Sequence, residues 1–404
     1  MSYKLTVKAC CIGIFCQAII TNLTAILFIP LGEQFGLSFT QLGALVMVNF
    51  AVQVTVSLVF GSIVDRYGFR RFIVAAHVLA VLGMGWFASA NALPFAPYFT
   101  LLTGTIIFAI AAGFMELLLS PILNAIPTDE KSSAMSIMHA FYCIGFLAVA
   151  VITSVLLLVL GREAWPIITV FWLLIPLANL VLFMVAPIAE AVPQEKQDSA
   201  TNLLKRPLFI VLIFVIFFAG SSEITFAQWT SAYLEEVIGL PKVVGDIVGV
   251  SMFAAMMAVC RLGYGFFKRK NVAWLPSQSV LMQIGSGLAL GSYIVMAATS
   301  NPVFALLACA MCGLGVGLLW PGALSLAVEA FPAAGTFMFA ILAAAGASGA
   351  ALGPSVLGVI ADNAGLRTGF MLTAVFPIGS IICLWGYHRL HRKHENIDNK
   401  PTLT

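Results

Sequence analysis

The sequence predicts an all-α polytopic membrane protein, with twelve transmembrane helices arranged as two six-helix, pseudo-symmetric bundles. Three observations lead there. Of 404 residues, 61% are hydrophobic and only 9% charged, and the mean hydropathy is +1.03, more apolar surface than a water-soluble core would bury. The apolar residues fall into about twelve continuous runs, each near or above the ~20 residues that a spanning helix needs. Part of the fourth run also returns two hundred positions later, with its Gly, Leu-Leu and Pro retained.

The first run, about 9–30, follows Lys4 and Lys8 and is long enough to span, so it reads as a helix and not as a cleaved leader. Runs at about 41–63, 71–92, 98–126, 132–160 and 164–187 complete a first half. A polar stretch then intervenes, Pro187 to Arg206, with Glu190, Glu195, Lys196, Asp198, Lys205 and Arg206. Runs at about 207–234, 243–267, 274–298, 302–327, 333–361 and 366–388 form a second half. The expected organisation is therefore a bundle over 1–187, a cytoplasmic linker over 188–206, a bundle over 207–388 and a polar cytoplasmic tail over 389–404. The runs are continuous, whereas strands of a membrane barrel alternate, which argues against a β architecture.

Net charge is only +3, so nucleic acid is not an expected partner. Placement of charge matters more. With the N-terminus inside, sixteen of the twenty basic residues fall in inner segments, while Arg162, Lys242 and Arg367 fall outside. The positive-inside rule then puts both termini in the cytoplasm of a cell-membrane protein. The eight cysteines include Cys309-Ala-Met-Cys312, but that pair lies in an apolar run with no histidine beside it, so it reads as small apolar filler. No set of convergent ligands suggests a metal, no cofactor motif is present, and no nucleophile–base pair suggests an enzyme.

The internal repeat supports the division into halves. Gly113 and Ser120-Pro121 match Gly313 and Trp320-Pro321 at an offset of 200, with Leu-Leu retained before each Ser/Trp-Pro. The loop Gly61-Ser-Ile-Val-Asp65-Arg66-Tyr-Gly68-Phe-Arg70-Arg71 falls after the second run, and Arg261 to Lys270 occupies the corresponding place in the second half. That loop resembles the signature which major facilitator transporters carry between their second and third helices. The resemblance implies the major facilitator fold, with parallel six-helix repeats around a midplane cavity. It further implies a cytoplasmic gating latch formed by Gly61, Asp65, Arg66, Arg70, Arg71 and Arg261. Physically, Arg66 and Arg70 can reach carboxylates or helix C-termini. The plainer alternative is a basic loop that serves topology alone.

A narrower likeness lies within that family. Glu116-x3-Ser120-Pro121-x2-Asn124 and His139-Ala-Phe141-Tyr-Cys-Ile-Gly145 are similar to stretches in the fourth and fifth helices of the fucose permease group of sugar–proton symporters. Thr21-Asn22 resembles that group's first-helix stretch, but Ala25 stands where the fucose permease has an acid, and Ser120 where an Asn is expected.

Several polar residues lie at membrane depth, where a charge costs about 2.5–3.5 kcal/mol on insertion scales. Glu116 and Glu223 are the candidates for proton coupling. Each has an alternative reading, a protonated acid tying helices together for Glu116 and a helix-packing network for Glu223. His139 is either a third proton carrier or a structural histidine. Substrate-binding candidates are Asn22, Asn49, Gln53, Glu116, Tyr142, Glu223, Gln228, Trp229 and Trp320, in which carboxylates and amides would bond hydroxyls and indoles would stack on a ring. Gln17 and Gln283 rank below them.

Arg261, placed near the inner end of its helix, is expected to serve the latch and not an anion site. Two buried acids without a central base then suit a neutral polar substrate. The resemblance thus implies a secondary active transporter using alternating access, a functional monomer in the bilayer, with proton-coupled symport of a neutral sugar or similar solute. The alternatives are a proton-driven antiporter exporting amphiphilic or cationic compounds and a non-transporting membrane sensor.

Overall fold

The computed structural model describes residues 3–37, 39–61, 63–127, 131–189, 200–241, 244–332 and 334–398. Among them every regular element is a helix. Eleven helices are long and apolar enough to cross a membrane, and the apolar stretch Ala44–Phe60 supplies a twelfth. We number the spans α1 (Lys4–Ile26), α2 (Phe39–Phe60), α3 (Phe69–Ala88), α4 (Pro97–Asn124), α5 (Lys131–Leu160), α6 (Trp165–Val185), α7 (Pro207–Glu236), α8 (Val250–Arg269) and α9 (Gln278–Ala298). The tenth is two pieces, α10a (Pro302–Val316) and α10b (Leu319–Ala330). Then come α11 (Gly335–Ala364) and a divided twelfth, α12a (Leu366–Thr373) and α12b (Val375–Asp398).

The chain divides into two compact units, Met1–Lys196 with Gly335–Ala344, and Gln197–Ala334 with Ala345–Thr404. The sequence reading put Gly335–Ala344 with the second bundle, whereas it groups with the first. Residues 190–199 of the expected linker lie outside the described residues, and Ala200–Leu204 forms a short helix.

In the first unit α1 packs on α4, α5 and α6, while α3 packs on α4 and α6. Lipid offers no hydrophobic drive for helix association, so close backbone approach does much of the work. Gly83 and Gly104 show it. A Cβ on Gly83 would lie 2.6 Å from the Phe108 nitrogen, and one on Gly104 would lie 2.9 Å from that of Phe87. Polar ties complete the packing. Asn179 on α6 donates to the Ala9 carbonyl of α1 (3.1 Å) and to His77 Nε2 on α3 (2.8 Å). The His77 Nδ1–H must then donate to the Ile73 carbonyl, 2.7 Å away, so the neutral Nδ1–H tautomer serves this bond pattern.

In the second unit α7 packs on α10 and α12b, and α10a on α8 and α9. Here too glycine admits backbone. A Cβ on Gly285 of α9 would come within 2.3 Å of the Gly315 carbonyl oxygen of α10a. The run expected at 302–327 is interrupted at Gly317 and Leu318. Pro321 follows the break and has no N–H to bond the Gly317 carbonyl four residues back. By contrast α11, which contains Pro354, runs unbroken. The expected polar tail begins inside α12b, which continues to Asp398. Nothing between His388 and Asp398 breaks a helix, since the next proline is Pro401.

Candidate functional site: the buried acids and their partners

Helix geometry puts Glu116 past the middle of α4, and the first unit supplies its partner from α1. Gln17, which is 4% exposed, donates its Nε2–H to Glu116 Oε2. One turn along α4, Ser120 meets His139 Nε2 of α5 at 3.3 Å, with both side chains buried. Asn22 donates to its own helix at the Ala18 carbonyl (2.8 Å), with Tyr142 of α5 at the limit of hydrogen bonding (3.5 Å). Asn49 and Gln53, four apart on α2, are joined by a 2.7 Å bond, and Asn49 donates on to the Ile20 carbonyl of α1 at 3.2 Å. The structure therefore brings Glu116 together with Gln17, and His139 with Ser120. Asn49 and Gln53 tie α2 to α1.

The second unit corrects the placement of Arg261. The expected latch residue is 2% exposed, lies within α8 and pairs with Glu223 of α7 at 3.1 Å. Its position is roughly 12 Å from the end of the helix at 1.5 Å per residue. The cause is local: Pro321 deprives the Gly317 carbonyl of its helical donor, and Arg261 Nε supplies one at 2.7 Å. Guanidinium, with five donors in a planar fork, can hold a carboxylate and a carbonyl together. Burying these charges costs less because they are buried as a pair. The proline in the sequence was the available signal, since it announces a free carbonyl at position 317.

The aromatic candidates of this unit are engaged by α11. Trp229 donates its indole N–H to the Pro354 carbonyl at 3.0 Å, and its ring rests against Gly358. A Cβ on Gly346 would come within 2.4 Å of the Trp320 ring. Gln228 is exposed. Tyr293 of α9, not singled out from sequence, donates to the Ser222 carbonyl at 2.8 Å, beside Glu223 in the chain.

In the first turn of α3, Arg70 caps a helix end inside the first unit. Its guanidinium donates to the carbonyls of Phe183 (2.8 Å), Met184 (2.9 Å) and Ala186 (2.7 Å) at the end of α6. Arg66 lies over the Tyr67 ring at 5.7 Å, and Arg71 is exposed. The side chain of Asp65 lies outside the described residues. A Cβ on Gly61 would come within 2.4 Å of Ala340 Cβ, within the first unit. Among the described residues no cluster of His, Cys, Asp or Glu could hold a metal ion.

Comparison with known proteins bears on this architecture. The chain is 23% identical over 271 residues to the riboflavin transporter RibZ of Clostridioides difficile (strain 630), a match over 62% of this chain and 57% of that protein's length. Its fold is similar to that of the major facilitator transporter FucP in an outward conformation, with a TM-score of 0.79 at 16% identity over 96% of this chain and 99% of that one. A structure of the E. coli fucose:proton symporter FucP gives a TM-score of 0.78 at 15% identity, over 96% and 99% of the two chains. The proton:xylose symporter XylE gives 0.78 at 11% identity, over 95% of each. The family model described as Major Facilitator Superfamily matches residues 10–338 and 278–403, so that the twelve-helix chain belongs to the Major Facilitator Superfamily.

Proposed function

We propose that this transporter couples inward movement of a small neutral polar solute, of the sugar or polyol class, to protons carried by Glu116. The hydrogen bond between Gln17 and Glu116 carries the reading, because it sets a carboxyl deep within a span beside a group that is not a permanent charge. Glu223 is the poorer carrier, since a proton there would break its pair with Arg261. The Glu223–Arg261 pair is neutral as a unit, and a neutral substrate is compatible with it. Fold likeness to a fucose:proton symporter and a proton:xylose symporter supports the substrate class, and the basic inner segments support cytoplasmic termini. Transport would follow alternating access, with protonation of Glu116 biasing which face is open. Arg70 and its neighbours would stiffen the inner end.

The experiment is external pH recorded on proteoliposomes as sugars, polyols, riboflavin and organic cations are added in turn. Alkalinisation with a neutral solute, lost in Glu116→Gln and retained in a control variant such as Gly263→Ala, is the expected result. Acidification on adding cations would replace symport by proton-driven export.

A further inference from the structure

Gln17 has two terminal atoms, and the structure uses one of them. Nε2–H donates to Glu116 Oε2, while Oε1 is buried without a hydrogen-bond partner. Most buried amide oxygens are bonded, and one left unsatisfied gives up its hydration without a return. The missing partner is a donor. Glu116 itself becomes one when it takes up a proton: a carboxylate only accepts, whereas a carboxylic acid gains an O–H. Half a turn about the last bond of the Gln17 side chain exchanges Nε2 and Oε1 without changing its shape. One orientation serves the carboxylate through N–H, and the other serves the acid through C=O. The second buried acid has no such option, because the Arg261 guanidinium opposite Glu223 has donors only.

We propose that Gln17 is a positioning residue for the proton on Glu116, its amide turning over as the carboxyl gains and loses that proton. The side chain is thereby held in one place in both states, so protonation changes charge without releasing α1 from α4. The inference rests on Glu116 as the proton carrier. The titratable groups on helices packed against α4 are few. Those on α1 are Lys4, Lys8, Cys10, Cys11 and Cys16, and those on α3 are Arg70, Arg71 and His77. Helix α5 brings Lys131, His139, Tyr142 and Cys143, and α2 brings none. Of these, His139 is bonded to Ser120 and His77 to Asn179.

The test needs no substrate, only protons. Infrared difference spectra of the full chain in lipid are recorded across a pH titration, and the carboxylic-acid C=O band of Glu116 is identified by its loss in Glu116→Gln. Gln17→Met, close in shape but with neither donor nor acceptor, is expected to do two things. It raises the midpoint of the band by about one pH unit, because the carboxylate loses the stronger, charge-assisted bond. It also moves the band to the higher frequency of an acid whose O–H is no longer accepted. Gln17→Glu keeps an acceptor, so it raises the midpoint while leaving the frequency near that of the wild type. A purely structural glutamine would not split the two readouts. A folded Gln17→Met with both midpoint and frequency unchanged overturns the proposal while sparing the proton role of Glu116. A wild-type protein with no Glu116 band at any pH overturns both. Should Gln17→Met fail to fold, the Gln17→Glu midpoint decides alone, and an unchanged value overturns the proposal.

Discussion

Breaking the Glu223–Arg261 pair is expected to destabilise the protein strongly and asymmetrically. The two groups are 5% and 2% exposed and 3.1 Å apart. With charge centres ~4 Å apart and an effective dielectric constant near 20, their attraction is about 4 kcal/mol. That agrees with the ~3–5 kcal/mol typically lost when one partner of a buried pair is removed. For a unit of about 200 residues this corresponds to roughly 8–16 °C in melting temperature. Arg261→Met should cost more than Glu223→Gln, because it also strips the Gly317 carbonyl of its donor, a further ~1 kcal/mol. Arg261→Met combined with Glu223→Gln should cost less than the sum of the two, by at least about 2 kcal/mol. Melting can be followed with a thiol-reactive dye, since the thiols of Cys10, Cys11, Cys16, Cys309 and Cys312 are buried until the chain unfolds. Single variants that melt within about 2 °C of the wild type, or additive losses in the double variant, would refute the reasoning.

Two further outcomes follow from packing and capping. Gly313→Ala should lower the melting temperature by several degrees, because its Cβ would sit 2.1 Å from the Phe253 carbonyl oxygen and overpacking costs about 1–3 kcal/mol. Gly263→Ala, whose Cβ meets nothing within 4 Å, is the matched control and should melt at or above the wild-type temperature. Arg70→Ala leaves the end of α6 without its three charge-assisted bonds and should cost about 1.5–3 kcal/mol, with Arg70→Lys recovering only part. Equal melting of the alanine and lysine variants would contradict that account.

Much of the fold was legible because a spanning helix is announced by continuous apolar length, which needs no knowledge of partners. The breaks were less so. Pro321 and Pro354 both sit in apolar runs, yet only the first accompanies an interruption, where the Arg261 guanidinium donates to the carbonyl at Gly317. Glu116 and Glu223 were visible singly, because a carboxylate stands out among Leu and Phe. Their partners were hidden. In spans that are apolar all round, periodicity does not tell which way a side chain faces, and Gln17 stands 99 residues from Glu116. Arg261 misled for the same reason: its nearness to Lys268, Arg269 and Lys270 in sequence suggested the membrane surface, while its helix carries it inward.

The freed carbonyl at Gly317 also says something about how duplicated halves diverge. Pro121 and Pro321 occupy the same register two hundred residues apart, and at that offset the counterpart of Arg261 is Gly61. One repeat position carries two opposite tasks. In the second half it carries the longest basic side chain, which fills a vacancy that a proline created. In the first half it carries no side chain at all and gives up its volume so that Ala340 can draw near. Exchanging the two residues would restore neither, since Arg261 answers the Gly317 carbonyl while Gly61 makes room for Ala340.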